Sequence, residues 1–200
     1  MLRRQGTAGD QGGAAAQSRP HDDVGLIDRI SNRDLRAFED LYRVYHPRLT
    51  RFLTNILRRP HLVEEVLNDT MMVVWDRPGG YNGACKVSTW IFAIAYRKAL
   101  KALRRQDEPL EDKHAESRAS PEADPEQQVE QRQISEVLFG AIGELSADHR
   151  AVVDLTYYHD AGYREIAEIM ACPVDTVKTR MFHARRHLKS KLAGRLADWL

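Results

Sequence analysis

Cysteine is scarce in this sequence, with only Cys85 and Cys172 among 200 residues. Two thiols so far apart make neither a disulfide framework nor a cysteine-rich zinc site, and they suit a reducing compartment. Long apolar runs are missing as well. No stretch approaches the roughly 20 residues that span a bilayer. The opening "MLRRQGTAGDQGGAAAQSRP" has two arginines but no hydrophobic segment behind them, so it does not read as a secretory signal. Its Gly, Ala and Gln content reads as a disordered tail, residues 1–25. No alternation of apolar and polar residues is long enough for a strand, and no phosphate loop, nucleophile elbow or dinucleotide fingerprint occurs. His183 and His187, four apart, have no acid or thiol beside them and lie among cations, which argues against a metal. The expectation is therefore no cofactor, no metal site and no catalytic constellation.

A charge excess of one sign is also missing, since 30 Lys/Arg meet 29 Asp/Glu for a net charge of +1. The near-zero total hides a segregation. Arg77 to Gln106 has seven Lys/Arg and no acid; Asp107 to Glu136 has ten Asp/Glu and three Lys/Arg; Thr176 to Ala197 has seven Lys/Arg and no acid. Two basic segments thus flank an acidic one, which points to a polyanionic partner held by two separate surfaces.

What is present is helical periodicity. Leu35, Phe38, Leu41, Tyr42 and Tyr45 mark a helix from about Asp34, with Ser31 or Asn32 as cap. Pro47 should interrupt it, and Leu49, Phe52, Leu53, Ile56 and Leu57 resume the pattern. A second helix is predicted from about Leu62 to Trp75 and a third over Ser88 to Gln106, with the glycine-rich loop "RPGGYNG" between them. Asp107 to Gln128, acidic and with three prolines, reads as a flexible linker. Helical patterning returns from Val129. A helix should follow Ser146, then the short helix "GYREIAEIM", the turn "ACPV" and a long helix capped by Asp175. The expected fold is all-α: a helical domain over 26–106, an acidic linker over 107–128 and a second helical domain over 129–195.

The second domain reads as a helix-turn-helix. Ile166, Ala167 and Met170 face Val174, Val177 and Met181, with Ala171 where such turns often hold glycine in a left-handed conformation. The outward residues Thr176, Lys178, Thr179, Arg180, Phe182, His183, Arg185 and Arg186, with Arg164 nearby, offer guanidinium forks, hydroxyls and a ring to a major groove. In the third helix Phe92, Ala95, Ala99 and Leu103 form an apolar stripe. A second stripe, Trp90, Ile94, Arg97, Lys101 and Arg104, is aromatic at its start and basic further on. Cations for phosphates, together with a tryptophan beside a glycine loop, form a chemistry for unpaired DNA. The alternative is that Trp90 is a core residue and the basic faces are simply solvated.

The segments "AFEDLYRVYHPRLTRFL", "VEEVLNDTMMVVW", "STWIFAIAYRKALKALRR" and "YREIAEIMACPVDTVKTRMFHARRHLKSKL", in that order, resemble bacterial sigma-70 family factors of the small extracytoplasmic-function type, from about Asp34 to Leu192. The resemblance implies a subunit that directs RNA polymerase core to promoters. Glu64, Glu65, Asn68, Asp69 and Thr70 would dock on the clamp helices of the largest (beta-prime) subunit. Tyr81, Asn82, Trp90, Arg97, Lys98, Lys101, Arg104 and Arg105 would melt and read the −10 element. Arg164, Thr176, Lys178, Thr179, Arg180, Phe182, His183 and Arg186 would read −35 duplex, and the beta flap is a further implied contact on polymerase core. The linker would thread near the RNA exit path. An anti-sigma factor, often membrane-bound, is a further implied partner of a cytoplasmic protein. Ala93 and Tyr96 stand where the family commonly has arginine, and Arg97 where it has asparagine. Two other readings remain at this point: a homodimeric helix-turn-helix repressor or activator, and a protein-interaction module for an acidic partner.

Overall fold

The computed structural model describes residues 22–107 and 138–197, and every regular element among them is helical. In chain order the helices are α1 (Asp23–Ser31), α2 (Leu35–Leu57), α3 (Pro60–Asp76) and α4 (Val87–Asp107). A short helical segment at 138–143 follows, then α5 (Ala147–Tyr157), α6 (Tyr163–Met170) and α7 (Val174–Ala197). A single 3-10 turn, Pro78–Gly80, sits between α3 and α4. Residues 1–21 of the expected tail, 108–128 of the acidic linker and 129–137 of the expected second domain lie outside the described residues.

Helix α1 begins three residues inside the segment read as tail. Its periodicity is short, with only Ile27 and Ile30 buried. The Asp22 carboxylate caps it by accepting the Gly25 N–H at 3.0 Å. A Cβ at position 25 would stand 2.3 Å from that carboxylate, which accounts for the glycine. The Tyr45 hydroxyl donates to Asp23 at 2.6 Å and ties α1 to α2.

Helix α2 corrects two expectations. Its cap is Asp34, whose carboxylate accepts from the N–H groups of Arg36 and Ala37, and not Ser31 or Asn32, which end α1. Those bonds and the Arg29 guanidinium, the largest influence, hold the Asp34 carboxyl below its ordinary range. Pro47 does not break the helix either: α2 runs through it for 23 residues. Pro47 is exposed, while Leu41, Tyr45, Leu49, Phe52, Leu53 and Ile56 keep one buried stripe on both sides of it. Burying such a stripe outweighs the roughly 3 kcal/mol that an interior proline costs.

Helices α2, α3 and α4 enclose a core containing Phe52, Leu67, Met71 and Phe92. This core continues into the second helical group. The rings of Phe52 and Phe92 lie 5.0 Å apart, and His159, just after α5, packs 4.6 Å from Phe92 and 6.1 Å from Phe52. His159 contacts Asp154 at 3.1 Å, and Asn55 of α2 donates to the same buried carboxylate. Arg150 of α5 donates to the Ile56 carbonyl at 2.7 Å, and Arg58 to that of Gly143 at 2.7 Å. The two helical groups are thus packed together as well as tethered.

Candidate nucleic-acid interface

The helix-turn-helix forms as its spacing predicts. Ile166, Val177 and Met181 are inaccessible and Ala167 and Met170 nearly so. Ala171 closes α6 in the left-handed region at φ 49°, ψ 49°. Its N–H reaches back toward the Glu168 carbonyl, and that of Cys172 to Ala167, which satisfies the last carbonyls of α6. Helix α7 starts at Val174, so Asp175 lies in its first turn and is not its cap. The aspartate suits the positive end of the helix and holds Lys178 at 2.9 Å.

Along α7, Lys178, Thr179, Phe182, His183, Arg185 and Arg186 are exposed, as is Arg164 on α6. Phe182 shows 62% of its surface, unusual for a large apolar side chain unless a partner covers it. Arg180 differs. Its guanidinium pairs with Asp148 of α5 and approaches the Cys172 sulfur at 3.7 Å. The His149 imidazole nearby is held below its ordinary value, first by burial and then by Arg180 and His183.

On α4 the surroundings change residue by residue. Trp90 is half-buried, its ring 5.7 Å from Tyr81 and in contact range of Gly80. The Tyr81 hydroxyl donates to the Cys85 carbonyl at 2.8 Å, and Asn82 accepts from the Ala84 N–H at 3.0 Å, so the glycine loop is held by its own hydrogen bonds beside the tryptophan. Residues 91–96 are all buried. Arg97, Lys101, Arg104 and Arg105 are exposed, while Lys98 pairs with Asp69 of α3 at 2.9 Å. Glu64, Glu65, Asn68 and Asp69 form an exposed polar edge on α3. Thr70 does not belong to it. Its side chain is fully buried and its hydroxyl donates to the Val66 carbonyl at 2.7 Å, because one more residue turns the helix toward the core.

Two family models match the chain: sigma-70 region 2 over residues 41–108 and sigma-70 region 4 over 131–188. The chain belongs to the sigma-70 family, and within it to the extracytoplasmic-function type. It is 27% identical over 180 residues to the extracytoplasmic-function sigma-E factor of Haemophilus influenzae, covering 85% of this chain and 95% of that one. It is 26% identical to the sigma-H factor of Pseudomonas aeruginosa, covering 88% and 96%. The fold is that of CnrH in its complex with the cytosolic domain of CnrY, with a TM-score of 0.62 at 21% identity over 86% of this chain and 97% of that one. It is also that of the Bartonella quintana sigma factor RpoE in complex with NepR, with a TM-score of 0.61 at 21% identity over 78% and 96%.

A sigma factor binds RNA polymerase core and directs it to promoter DNA, and this chain has that function. Region 2 of the sigma factor holds α3, the glycine loop and α4; region 4 holds the helix-turn-helix. Sequence reasoning missed Asp148 and Glu165, and it singled out Tyr96 without foreseeing the contact it makes. The Tyr96 hydroxyl donates to Asp148 at 2.6 Å, and burial followed by that bond raises the phenol above its ordinary range. Glu165 of α6 accepts from Thr89 at 2.8 Å and pairs with Lys86 at 3.0 Å. The available signal was the pair Ala93 and Tyr96, uncharged where the resemblance implies arginine.

Proposed function

We propose that this sigma factor divides promoter recognition among three surfaces of its own. The α3 edge of Glu64, Glu65, Asn68 and Asp69 docks on the clamp helices of polymerase core, with acid meeting basic partner groups. Trp90, Tyr81, Asn82 and the cations Arg97, Lys98, Lys101, Arg104 and Arg105 take the melted −10 strand. There the ring stacks on an unpaired base and the cations release counterions from phosphates. Arg164, Thr176, Lys178, Thr179, Arg180, Phe182, His183 and Arg186 read the −35 duplex. The observation that carries the reading is the exposed face of α7, free of acids from Thr176 onward, on a closed helix-turn-helix, in one chain with an acidic α3 edge.

The chain works in the cytoplasm, where polymerase meets DNA. No described helix is long and apolar enough to cross a membrane. An anti-sigma factor is a fitting partner, as the anti-sigma factor NepR is seen with the sigma factor RpoE. A homodimeric repressor would need the helix-turn-helix but neither the α3 edge nor Trp90. Reconstitution with core polymerase on a genomic promoter pool tests the choice. Promoter-dependent transcripts are expected; their complete absence, with tight duplex binding as a dimer, would establish the repressor instead.

A further inference from the structure

Three imidazoles gather between α5 and α7. His183 and His187 lie one turn apart on α7. His149 of α5 meets His183 edge-on, with ring centroids 6.4 Å apart and planes at 81°. Sequence reasoning finds no acid beside the α7 pair, yet the structure supplies one, since Glu144 contacts His187 at 3.5 Å. No three donors gather into a metal cluster among the described residues, so proton binding is the chemistry that suits the group.

The neighbouring charges divide unequally among the three rings. Asp148 of α5 is taken up by Arg180 of α7 and by the Tyr96 hydroxyl from α4. Glu144 is shared between His187 and Lys191, the latter at 2.6 Å. Ser146 accepts the His149 N–H at 3.4 Å, and its own hydroxyl, 2.6 Å from Nδ1, donates to that ring nitrogen. His149 is thereby held as a neutral ring; burial opposes its charge first, then Arg180 and His183. His183 is exposed. It shares one stripe of α7 with Thr179 and Arg186, four positions before and three after, and has the Phe182 ring 5.5 Å away. An imidazole ordinarily titrates near 6.5, whereas carboxylates, lysine and arginine keep their charge between about pH 6 and 8. A phosphate set against an imidazole favours the charged form.

We propose that duplex DNA binding at α7 takes up a proton on His183, with His149 as the neutral ring behind it, so that the −35 surface grips DNA more tightly as the pH falls through the neutral range. The proposal rests on the reading of α7 as the −35 surface and draws only on the helix-turn-helix group for its geometry. The bound state holds more protons than the free one, so affinity rises as pH falls, and the gain ends once the free chain is itself protonated. Lys178 and Arg186 are permanent charges of this surface and His183 is its conditional one. His149 is a positioning residue: it stays uncharged, offers an edge contact, and touches no DNA itself.

Calorimetry of the full chain with a random-sequence duplex of about 25 base pairs, near pH 6.5 in two buffers of different ionisation enthalpy, counts the protons directly; about 0.3–0.5 per chain should be taken up. Affinity at fixed salt should rise about threefold from about pH 7.5 to about pH 6, the gain that a titration shift of between about half a unit and one unit gives. The salt dependence should steepen over the same range by up to about 0.9 in log affinity per log salt, one phosphate contact. His183→Gln should abolish the uptake and flatten the pH dependence at unchanged helix content. His187→Gln and His149→Phe, the second keeping a ring without a proton site, should leave the uptake in place. Binding without proton uptake, or uptake that survives His183→Gln, overturns this proposal alone. Loss of uptake in His149→Phe or His187→Gln puts the proton elsewhere and overturns it too. Absence of duplex binding at every pH removes the −35 reading and this proposal together.

Discussion

Helices α4 and α7 are both proposed to serve a polyanion, yet their settings are opposite. Residues 91–96 of α4 are enclosed and Trp90 is half-buried against Tyr81 of its own loop, whereas α7 presents Lys178, Thr179, Phe182, His183 and Arg186 to solvent. Cationic residues on both helices are restrained: Lys98 by Asp69 and Arg180 by Asp148. The difference teaches that a basic sequence marks a DNA surface without saying when that surface is available. Tertiary contacts bear on it residue by residue, as where Asp148 holds Arg180.

The largest effect should come from breaking the shared core. Phe52→Ala removes a fully buried ring that touches both Phe92 and His159. Loss of about 3–5 kcal/mol is expected in a urea titration. The loss should couple both helical groups into one transition, if α4 is sealed as described.

Next come the readers. Arg186→Ala and Lys178→Ala should each weaken −35 duplex binding by about 1–3 kcal/mol if they read bases. Arg180→Ala should cost less in the free chain than in the polymerase-bound one, because Asp148 already holds its guanidinium. Band shifts with and without core polymerase check this; equal losses for all three in the free chain would erase the contrast. Trp90→Ala should leave duplex binding intact and slow strand opening, with about 1–3 kcal/mol of stacking lost per base. Permanganate reactivity at the −10 element reads it out, and unchanged reactivity would place Trp90 in the core alone.

Two smaller effects confine themselves to region 4. Ala171→Gly should stabilise by about 0.5–1 kcal/mol, because an L side chain is disfavoured at the positive φ of the turn. A higher melting temperature with unaltered DNA binding is the expected result. The His149 imidazole is held below its ordinary value of 6.5, so the folded chain binds fewer protons there than the unfolded one. Stability is therefore unaffected above that value and falls as pH drops through it, levelling off below the folded value. Melting from about pH 7.5 to about pH 5.5 should show the fall, and His149→Asn should flatten part of it.

Much of the helix-turn-helix was legible because its rules are local. Apolar residues at 166, 167, 170, 177 and 181 fix the angle, and the turn residue sits at the position the chemistry demands. The helices of region 2 were legible for the same reason, through their 3.6-residue stripes. Pro47 was misread because the local cost of an interior proline is overridden by a stripe buried on both sides of it. Helix α1 was missed because two buried isoleucines make too short a pattern. Thr70 looked like surface among acids, and only the packing of α3 turns it inward. The seam between the groups was illegible, since it depends on partners some 50 to 100 positions away, such as Tyr96 with Asp148 and Asn55 with Asp154.

The measurement that bears most directly on the account is a pair of footprints on one promoter, with the chain free and with it bound to core polymerase. The account predicts weak protection confined to the −35 element for the free chain, and joint protection of the −35 and −10 elements once core is bound. Protection of both elements by the free chain would contradict it.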